Sequence, residues 1–208
     1  MKYQNQNSLN RSPFQGGGIL TSTAVPLPLE NVDTDQIIPA RFLKAVSREG
    51  FGENLFRDWR YDPQGHPIKN FVLNDPRFSG GILVAGKNFG CGSSREHAAW
   101  ALKDYGFDVV ISSFFADIFQ NNALNNFLLP VVLTDPQVRE LLDLVQKEPS
   151  TSIEIDLEAE FIRVPVIGLS ARFPINSYKK TCLSSGYDDL DYLLSLKTER
   201  EAFERTHG

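Results

Sequence analysis

The sequence predicts an α/β protein in which a mixed sheet is flanked by helices, and two stretches of the chain carry this prediction. The first is an apolar run over residues 81–85, followed by a glycine-rich turn, a helical pattern and a second apolar run over residues 109–111. The second is residues 153–157, which alternate strictly between apolar and polar and so predict a half-buried strand. Residues 161–166 can pair with that strand across a polar turn.

The first part of the chain predicts one strand and a long irregular segment. Residues 19–25 predict a strand that is ended by Pro26 and Pro28, because proline cannot donate a hydrogen bond to a neighbouring strand. Residues 31–35 predict a polar turn. Residues 44–80 are rich in glycine, proline, asparagine and aromatic residues and show no sustained period. Long loops of this kind are uncommon unless they are functional.

The helix after the glycine-rich turn can be predicted residue by residue. Ser93 is a favourable N-cap, and Glu96 three positions later completes a capping box. Gly106 provides a helix stop. Apolar residues recur at helical spacing on one face, namely Ala98, Ala101, Leu102 and Tyr105.

The remaining elements follow from the same kinds of signal. Residues 116–126 predict a short helix and residues 128–133 a strand. Asp135 is then expected to cap a helix that has Pro136 at its first position. That helix has an apolar stripe, Val138, Leu141, Leu142 and Val145. Residues 187–205 predict a closing helix.

Domain organisation is expected to be simple. The chain has 208 residues, which suits one large domain. Residues 1–17 are polar and rich in asparagine and glutamine, and they predict a mobile N-terminal tail. Residues 18–208 predict a single domain with an irregular insertion at about 44–80.

Composition excludes several classes of function. A net charge of −5 without a basic cluster argues against a nucleic-acid partner. No apolar stretch approaches the length of a membrane span, and the first seventeen residues lack the apolar core of a signal peptide. Two isolated cysteines, Cys91 and Cys182, fit a reducing compartment, so a cytoplasmic location is expected.

The glycine-rich turn itself predicts an anion site. Three glycines, at positions 86, 90 and 92, exceed what a helix cap needs, and they suggest that something approaches the backbone closely. Backbone N–H groups at a helix N-terminus favour negative charge, and Arg95 adds a cation. The turn is therefore expected to hold a small carboxylate or phosphate.

Familiar short motifs do not account for this turn. A phosphate-binding loop would place lysine after Gly92, and the dinucleotide fingerprint would place glycine at Arg95. A nucleophile elbow around Cys91 lacks its first glycine, so a cysteine hydrolase using Cys91 and His97 stays a weak alternative. His97 itself is expected to play a structural part rather than a catalytic one.

Three longer segments resemble the signatures of the aconitase superfamily's swivelling domain, a β/β/α domain found at the aconitase C-terminus. They are Asn88-Phe89-Gly90-Cys91-Gly92-Ser93-Ser94-Arg95-Glu96-His97-Ala98, Asp33-Thr34-Asp35-Gln36-Ile37-Ile38-Pro39-Ala40-Arg41-Phe42-Leu43, and Phe115-Ala116-Asp117-Ile118-Phe119 with Asn121-Asn122. The segment from Gly50 to Arg60 further resembles the bacterial family of 3-isopropylmalate dehydratase small subunits. The resemblance runs from about Gly18 to the C-terminal helix.

The resemblance implies a hydro-lyase that moves a hydroxyl group between adjacent carbons of a malate-type acid. It implies that Ser93 is the catalytic base and that Arg95 binds a substrate carboxylate. Ser94 and the Gly92 amide would add hydrogen bonds to the substrate. Asp35 matches an active-site aspartate and is expected to contact the substrate, although a turn-forming role is an equally open alternative.

The resemblance also implies a partner. Enzymes of this superfamily use a [4Fe–4S] cluster, which is usually held by several cysteine thiolates. With two isolated cysteines, this chain is expected to bind no cofactor itself. A cluster-bearing large subunit is the expected partner, and a small dicarboxylate the expected substrate.

Substrate choice remains open between related acids. An apolar set could line a pocket for the isopropyl group: Phe42, Leu43, Phe51, Leu55 and Phe56. Arg41 and Arg48 lie close to this set, so an anionic group is also compatible. The alternatives are a related hydro-lyase acting on citraconate, maleate or a methylcitrate, and an assembly or regulatory relative without chemistry. An intact Ser93-Ser94-Arg95 argues against the last.

Overall fold

The computed structural model describes residues 12–16, 18–43 and 50–197. The strands in these ranges are β1 (Ile19–Ser22), β2 (Ala24–Leu27), β3 (Ile82–Ala85), β4 (Val109–Ser112), β5 (Leu129–Val132), β6 (Ile153–Asp156), β7 (Phe161–Val164) and β8 (Leu169–Arg172). The helices are α1 (Thr34–Ile37), α2 (Arg57–Arg60), α3 (Glu96–Tyr105), α4 (Asp117–Asn125), α5 (Asp135–Lys147), α6 (Ser177–Ser185) and α7 (Asp189–Ser195). None of these helices has the length and apolar character needed to cross a membrane.

Parallel and antiparallel pairing are separated into two four-stranded sheets. The parallel sheet has the order β2-β3-β4-β5, and the antiparallel sheet has the order β1-β6-β7-β8. The predicted pairing of β6 with β7 is present, with Ile155 opposite Ile162. Along β6, buried and half-buried residues alternate as predicted.

The parallel sheet separates two cores, because successive side chains of a strand point to opposite faces. On one face, Ile82 and Val84 of β3 share a core with α5 and the antiparallel sheet. On the other, Leu83 and Ala85 pack with α1, α3 and α4. The molecule is thus layered as sheet, sheet and helices, and the strands of the parallel sheet are mainly apolar and, apart from the half-buried Val132 of β5, buried.

The predicted strand over residues 19–25 is wrong in its extent. The chain forms β1 in one sheet and β2 in the other, and Pro26 lies inside β2 rather than after it. Proline is tolerated there because β2 is an edge strand of the parallel sheet. Pro130 lies in β5, the opposite edge strand of the same sheet, for the same reason.

Several helix predictions need correction at their ends. The N-cap of α5 is Thr134, not Asp135, although Pro136 does lie in the first turn and the stripe of Val138, Leu141, Leu142 and Val145 is buried. In place of the polar turn at residues 31–35, the chain enters α1, which Asp33 caps. The predicted helix over residues 187–205 is α7 alone within the described residues, and residues 198–205 lie outside them.

The segment predicted as a mobile tail is partly packed on the domain. Phe14 is buried in the core between the two sheets. The Gly16 amide donates to the Ser184 carbonyl over 3.0 Å. Residues 1–11 and 17 of the predicted tail, and 44–49 of the predicted insertion, lie outside the described residues.

Residues 50–80 are mostly irregular and are organised around one buried arginine. The guanidinium of Arg60 donates to the carbonyls of Gly52, Glu53 and Leu55 at 3.3–3.4 Å. The Asn74 side-chain amide donates to the Arg60 carbonyl over 2.6 Å. The Arg60 guanidinium thus supplies hydrogen-bond donors to backbone carbonyls in a segment that has little regular secondary structure.

Candidate functional site

The candidate site lies beyond the carboxyl ends of three neighbouring parallel strands. The loops after β2, β3 and β4 continue side by side, since Asp33 bridges to Cys91 and Phe89 bridges to Phe115, both in parallel. The amides of Gly90 and Cys91 both donate to the Val32 carbonyl, at 2.8 and 3.2 Å. This arrangement brings the three sequence motifs to a single edge of the sheet.

The turn glycines serve two different purposes. A Cβ at Gly86 would lie 2.4 Å from the Leu29 carbonyl oxygen, and one at Gly90 would lie 2.2 Å from the Phe119 ring. What approaches these two glycines is therefore the protein's own chain rather than a ligand. Gly92 is exposed and has φ +88°, a conformation that favours glycine and turns the chain outward.

Ser93 and Ser94 follow this outward turn and are exposed. The predicted capping box is wrong: α3 begins at Glu96, its N-cap is Arg95, and no side chain caps it. The Glu96 carboxylate accepts instead from Trp100 Nε1 at 3.2 Å and from Asn126 Nδ2 at 3.0 Å. Ser93 is consequently not committed to the helix terminus.

The backbone of Ser93 is held by α1. The buried Thr34 hydroxyl donates to the Ser93 carbonyl over 2.8 Å, and the Thr34 amide donates to the Cys91 carbonyl over 3.0 Å. Sequence analysis did not single out Thr34. Its position beside Asp35 in the second motif is the only signal that could have pointed to it.

Arg95 and Asp35 are brought together as an ion pair. Arg95 donates to a carboxylate oxygen of Asp35 through Nη1. The Arg95 side chain is 18% exposed, whereas that of Asp35 is 54% exposed. The hydrogen bond from Arg95 lowers the pKa of Asp35, which keeps this carboxyl charged. In the structure, the contact that Asp35 makes at this site is therefore its ion pair with Arg95.

Two helix N-termini add positive electrostatic potential at this edge of the sheet. Helix α3 starts directly after Arg95, and α4 starts beside the turn, where Phe119 packs on Gly90. Neither helix has a side-chain hydrogen bond at its N-cap, Arg95 or Ala116. The first-turn N–H groups of both helices favour an anion here.

His97 is part of an aromatic cluster. Its ring centroid lies 4.4 Å from that of Trp100 and 5.4 Å from that of Phe51. Burial lowers the pKa of His97, so the ring is neutral at neutral pH. These contacts support the structural part expected for this histidine.

Cys91 lacks the environment of an activated nucleophile. Burial first, and the charge of Asp33 second, raise the pKa of this thiol. Reactive cysteines need the opposite shift, because the thiolate is the nucleophile. The raised pKa gives no support to the cysteine-hydrolase alternative.

The proposed apolar pocket set is only partly available to a substrate. Phe51, Leu55 and Phe56 are buried in the core beneath α3. Phe42 and Leu43 are half-buried and pack against that core. A cleft of about 640 Å³ lies beside Phe42, and it is also lined by Arg41 and Arg57.

The described residues do not fit a metal cluster. Within the described ranges, no group of three or more histidine, cysteine, aspartate or glutamate side chains is arranged to hold a metal ion. Cys91 and Cys182 are both free thiols, and Cys182 is buried in α6. Neither supplies the set of thiolates that an iron–sulfur cluster requires.

Comparison with known proteins decides the family. The model of the aconitase C-terminal domain matches residues 19–136, a range that contains Asp35 and residues 92–95. A 3-isopropylmalate dehydratase small subunit from Azobacteroides pseudotrichonymphae is 59% identical over 187 residues, covering 89% of this chain and 95% of that protein. One from Christiangramia forsetii is 60% identical over 186 residues, covering 89% and 91%. The chain belongs to the family of 3-isopropylmalate dehydratase small subunits.

A solved structure of this family agrees with the fold. The crystal structure of 3-isopropylmalate dehydratase LeuD from Methanocaldococcus jannaschii has a TM-score of 0.61 and 28% identity to this chain, and the match covers 92% of this chain and all of that one. The predicted resemblance and the predicted fold class are therefore confirmed. As a small subunit, the chain is one component of a hydro-lyase.

Proposed function

We propose that this chain is the small subunit of an isomerase that interconverts 2-isopropylmalate and 3-isopropylmalate in leucine biosynthesis, and that it is active only with a large subunit. The observation that carries the proposal is the exposed Ser93-Ser94 pair beside Arg95, at an edge that two helix N-termini make favourable for anions. Family membership supplies the reaction. The two isolated cysteines support a cytoplasmic location.

Arg95 is the proposed clamp for a substrate carboxylate. A guanidinium carries five N–H donors, so the contact with Asp35 leaves donors for a second carboxylate. The Ser94 hydroxyl and the Gly92 amide lie in the same exposed turn and would donate further hydrogen bonds. Isopropylmalate is a dicarboxylate, which suits a site built from donors and a cation.

Ser93 is the proposed base that removes the proton from the carbon next to a carboxylate. A serine hydroxyl is a weak base, so its deprotonated form needs stabilisation. The neighbouring N–H groups of the turn and of the α3 N-terminus supply a fixed positive field for that purpose. Because Ser93 does not cap α3, its hydroxyl is available for this chemistry.

The partner is proposed to be a large subunit that carries a [4Fe–4S] cluster. The chemistry that such a cluster supplies is Lewis-acid assistance to the departing hydroxyl group. The described residues of this chain do not provide its ligands. The exposure of Ser93 and Ser94 gives a second reason for a partner, since a deprotonated serine that is open to bulk water would be protonated by it.

The proposal is tested by substrate comparison in the reconstituted complex. The chain is purified with the large subunit from its own source, and turnover is measured separately with 2-isopropylmalate and with citraconate. We expect a higher kcat/KM for 2-isopropylmalate. A preference for citraconate would favour the related hydro-lyase, and no turnover with an intact cluster would favour the assembly relative.

A further inference from the structure

We propose that helix α1 is the positioning element of this site, with Thr34 fixing the base Ser93 and Asp35 orienting the clamp Arg95. The inference rests on the proposed function, since it assigns parts to residues around the same reaction. Thr34 and Asp35 are consecutive residues of one short helix, and each contacts a different functional residue of the turn. The helix would therefore set the spacing between base and clamp.

Thr34 holds the turn on both sides of Gly92. Its amide binds the carbonyl of Cys91 and its hydroxyl binds the carbonyl of Ser93. Thr34 is only 2% exposed, so these bonds are shielded from competing water. Two anchors around one glycine with positive φ fix the direction in which the Ser93 side chain leaves the turn.

Asp35 is assigned an indirect part because of its charge. A carboxylate that stays ionised repels the carboxylates of a dicarboxylate substrate, so it is poorly suited to bind them. It does contact the guanidinium that attracts them. Asp35 is thus a positioning residue that acts through Arg95, which revises the direct substrate contact expected from the resemblance.

Helix α1 is itself rigidly held, as a positioning element must be. Asp33 and Gln36 form a reciprocal capping box, with hydrogen bonds of 2.7 and 2.9 Å. Ile37 is fully buried, and its carbonyl accepts from the Phe56 amide over 2.8 Å. Four residues are too few for a stable isolated helix, so these anchors define its place.

The Thr34 arm of the test uses Thr34→Val in the reconstituted complex. We expect kcat to fall, on the order of 10²-fold for a displaced base, with a smaller change in KM, and Thr34→Ser to recover most of the turnover. The matched control is Thr23→Val, which removes a similar hydroxyl-to-carbonyl bond, from Thr23 to Ser79 at 2.5 Å, away from the site. If Thr34→Val loses no more turnover than this control, the assignment of Thr34 is wrong.

The Asp35 arm is a double-mutant cycle with Arg95. Asp35→Asn should raise KM in the wild-type background and cause little further rise in an Arg95→Lys background, because both changes act on one clamp. Equal increases in both backgrounds would overturn the indirect assignment. This arm decides the question if Thr34→Val fails to assemble.

The inference and the proposed function fail in different ways. If the wild-type complex does not turn over 2-isopropylmalate, the proposed function is wrong. If the wild-type complex is active and both arms give wild-type behaviour, only the role of α1 is wrong.

Discussion

The side chains around Gly92 have different parts in the proposed chemistry: Arg95 supplies a positive charge, and Ser93 and Ser94 supply hydroxyl groups at fixed positions. Arg95 is the cation, and its side chain is mostly buried while its ion-pair partner Asp35 is mostly exposed. A buried stem restricts the rotamers of a long side chain, so less entropy is lost when a substrate binds. Ser93 and Ser94, by contrast, are exposed and held through the backbone.

Arg95→Lys keeps the charge but loses the planar fork. We expect a loss of about 1.5–3 kcal/mol of substrate binding, the range for hydrogen bonds to charged groups, seen as a higher KM in the reconstituted complex. Steady-state kinetics with 2-isopropylmalate measures it. Unchanged kcat and KM would mean that Arg95 is a surface charge paired with Asp35 and nothing more.

Ser93→Asn separates the base from the fold. Because Ser93 is not the N-cap of α3, we expect the variant to fold and assemble with nearly wild-type stability. Turnover should fall on the order of 10²–10⁴, the usual contribution of a positioned acid or base. Thermal unfolding and turnover are measured on the same complex, with Cys91→Ala as a mild control. Retained activity would place the base on the partner chain.

His97 should make stability depend on pH. Its pKa is lowered from 6.5 in the folded chain, so the unfolded state binds a proton more readily. The stabilisation is therefore complete above about pH 6.5, the unfolded-state pKa, and is lost as the pH falls below it. Urea midpoints at pH 7.5 and 5.5 should differ more for the wild type than for His97→Phe, which keeps a ring beside Trp100. Equal differences would remove His97 as the cause.

At the scale of elements, periodic segments were predictable and local hydrogen bonding was not. The stripe of α5 and the alternation of β6 appear as expected because burial of one face dictates them. The predicted capping box at Ser93 is absent because α3 starts two residues later than expected, with Arg95 as its N-cap. Glu96 accepts hydrogen bonds from Trp100 and from Asn126, and no sequence pattern indicated the bond with Asn126. Strand β8 and helix α6 were not predicted, since Leu169–Arg172 shows no full burial and α6 is weakly amphipathic.

The candidate site shows the same division. Asp35 and residues 92–95 were predicted from two of the three motifs, and the structure brings all three motifs to one edge. Their partners were not predictable, because the bond between Thr34 and Ser93 joins residues 59 positions apart. Only the folded chain shows that two of the three turn glycines accommodate Leu29 and Phe119.

Arg60 should be the main stabilising residue of the irregular segment. Arg60→Ala removes the guanidinium donor from the buried Leu55 carbonyl and leaves the Gly52 carbonyl with the Leu55 amide alone, so we expect a loss of about 1–3 kcal/mol in the free energy of unfolding. Arg172→Ala is the control, because the Arg172 side chain is largely exposed in its pair with Glu160 and should contribute less than about 1 kcal/mol. Chemical denaturation measures both. Equal losses of unfolding free energy in the two variants would show that buried Arg60 stabilises the fold no more than an exposed arginine does.

At the scale of the whole molecule, the layered fold presents its chemistry at one open edge. The parallel sheet is covered on both faces, by α5 and the antiparallel sheet on one and by α1, α3 and α4 on the other. The carboxyl ends of its strands remain the place where loops meet, as in other parallel sheets. In the proposed function, this edge with its exposed serines and Arg95 forms one side of the active site, and the large subunit would supply the other side.

The most direct test of this account is a titration of the purified large subunit with this chain, following 2-isopropylmalate turnover and the iron content of each separated chain. The account predicts no turnover by either chain alone, turnover that rises and saturates as the complex forms, and iron on the large subunit only. Replacing the wild-type chain with Ser93→Asn should give the same saturation of assembly without turnover. A stable [4Fe–4S] cluster on the isolated small chain, or turnover by that chain alone, would contradict the account.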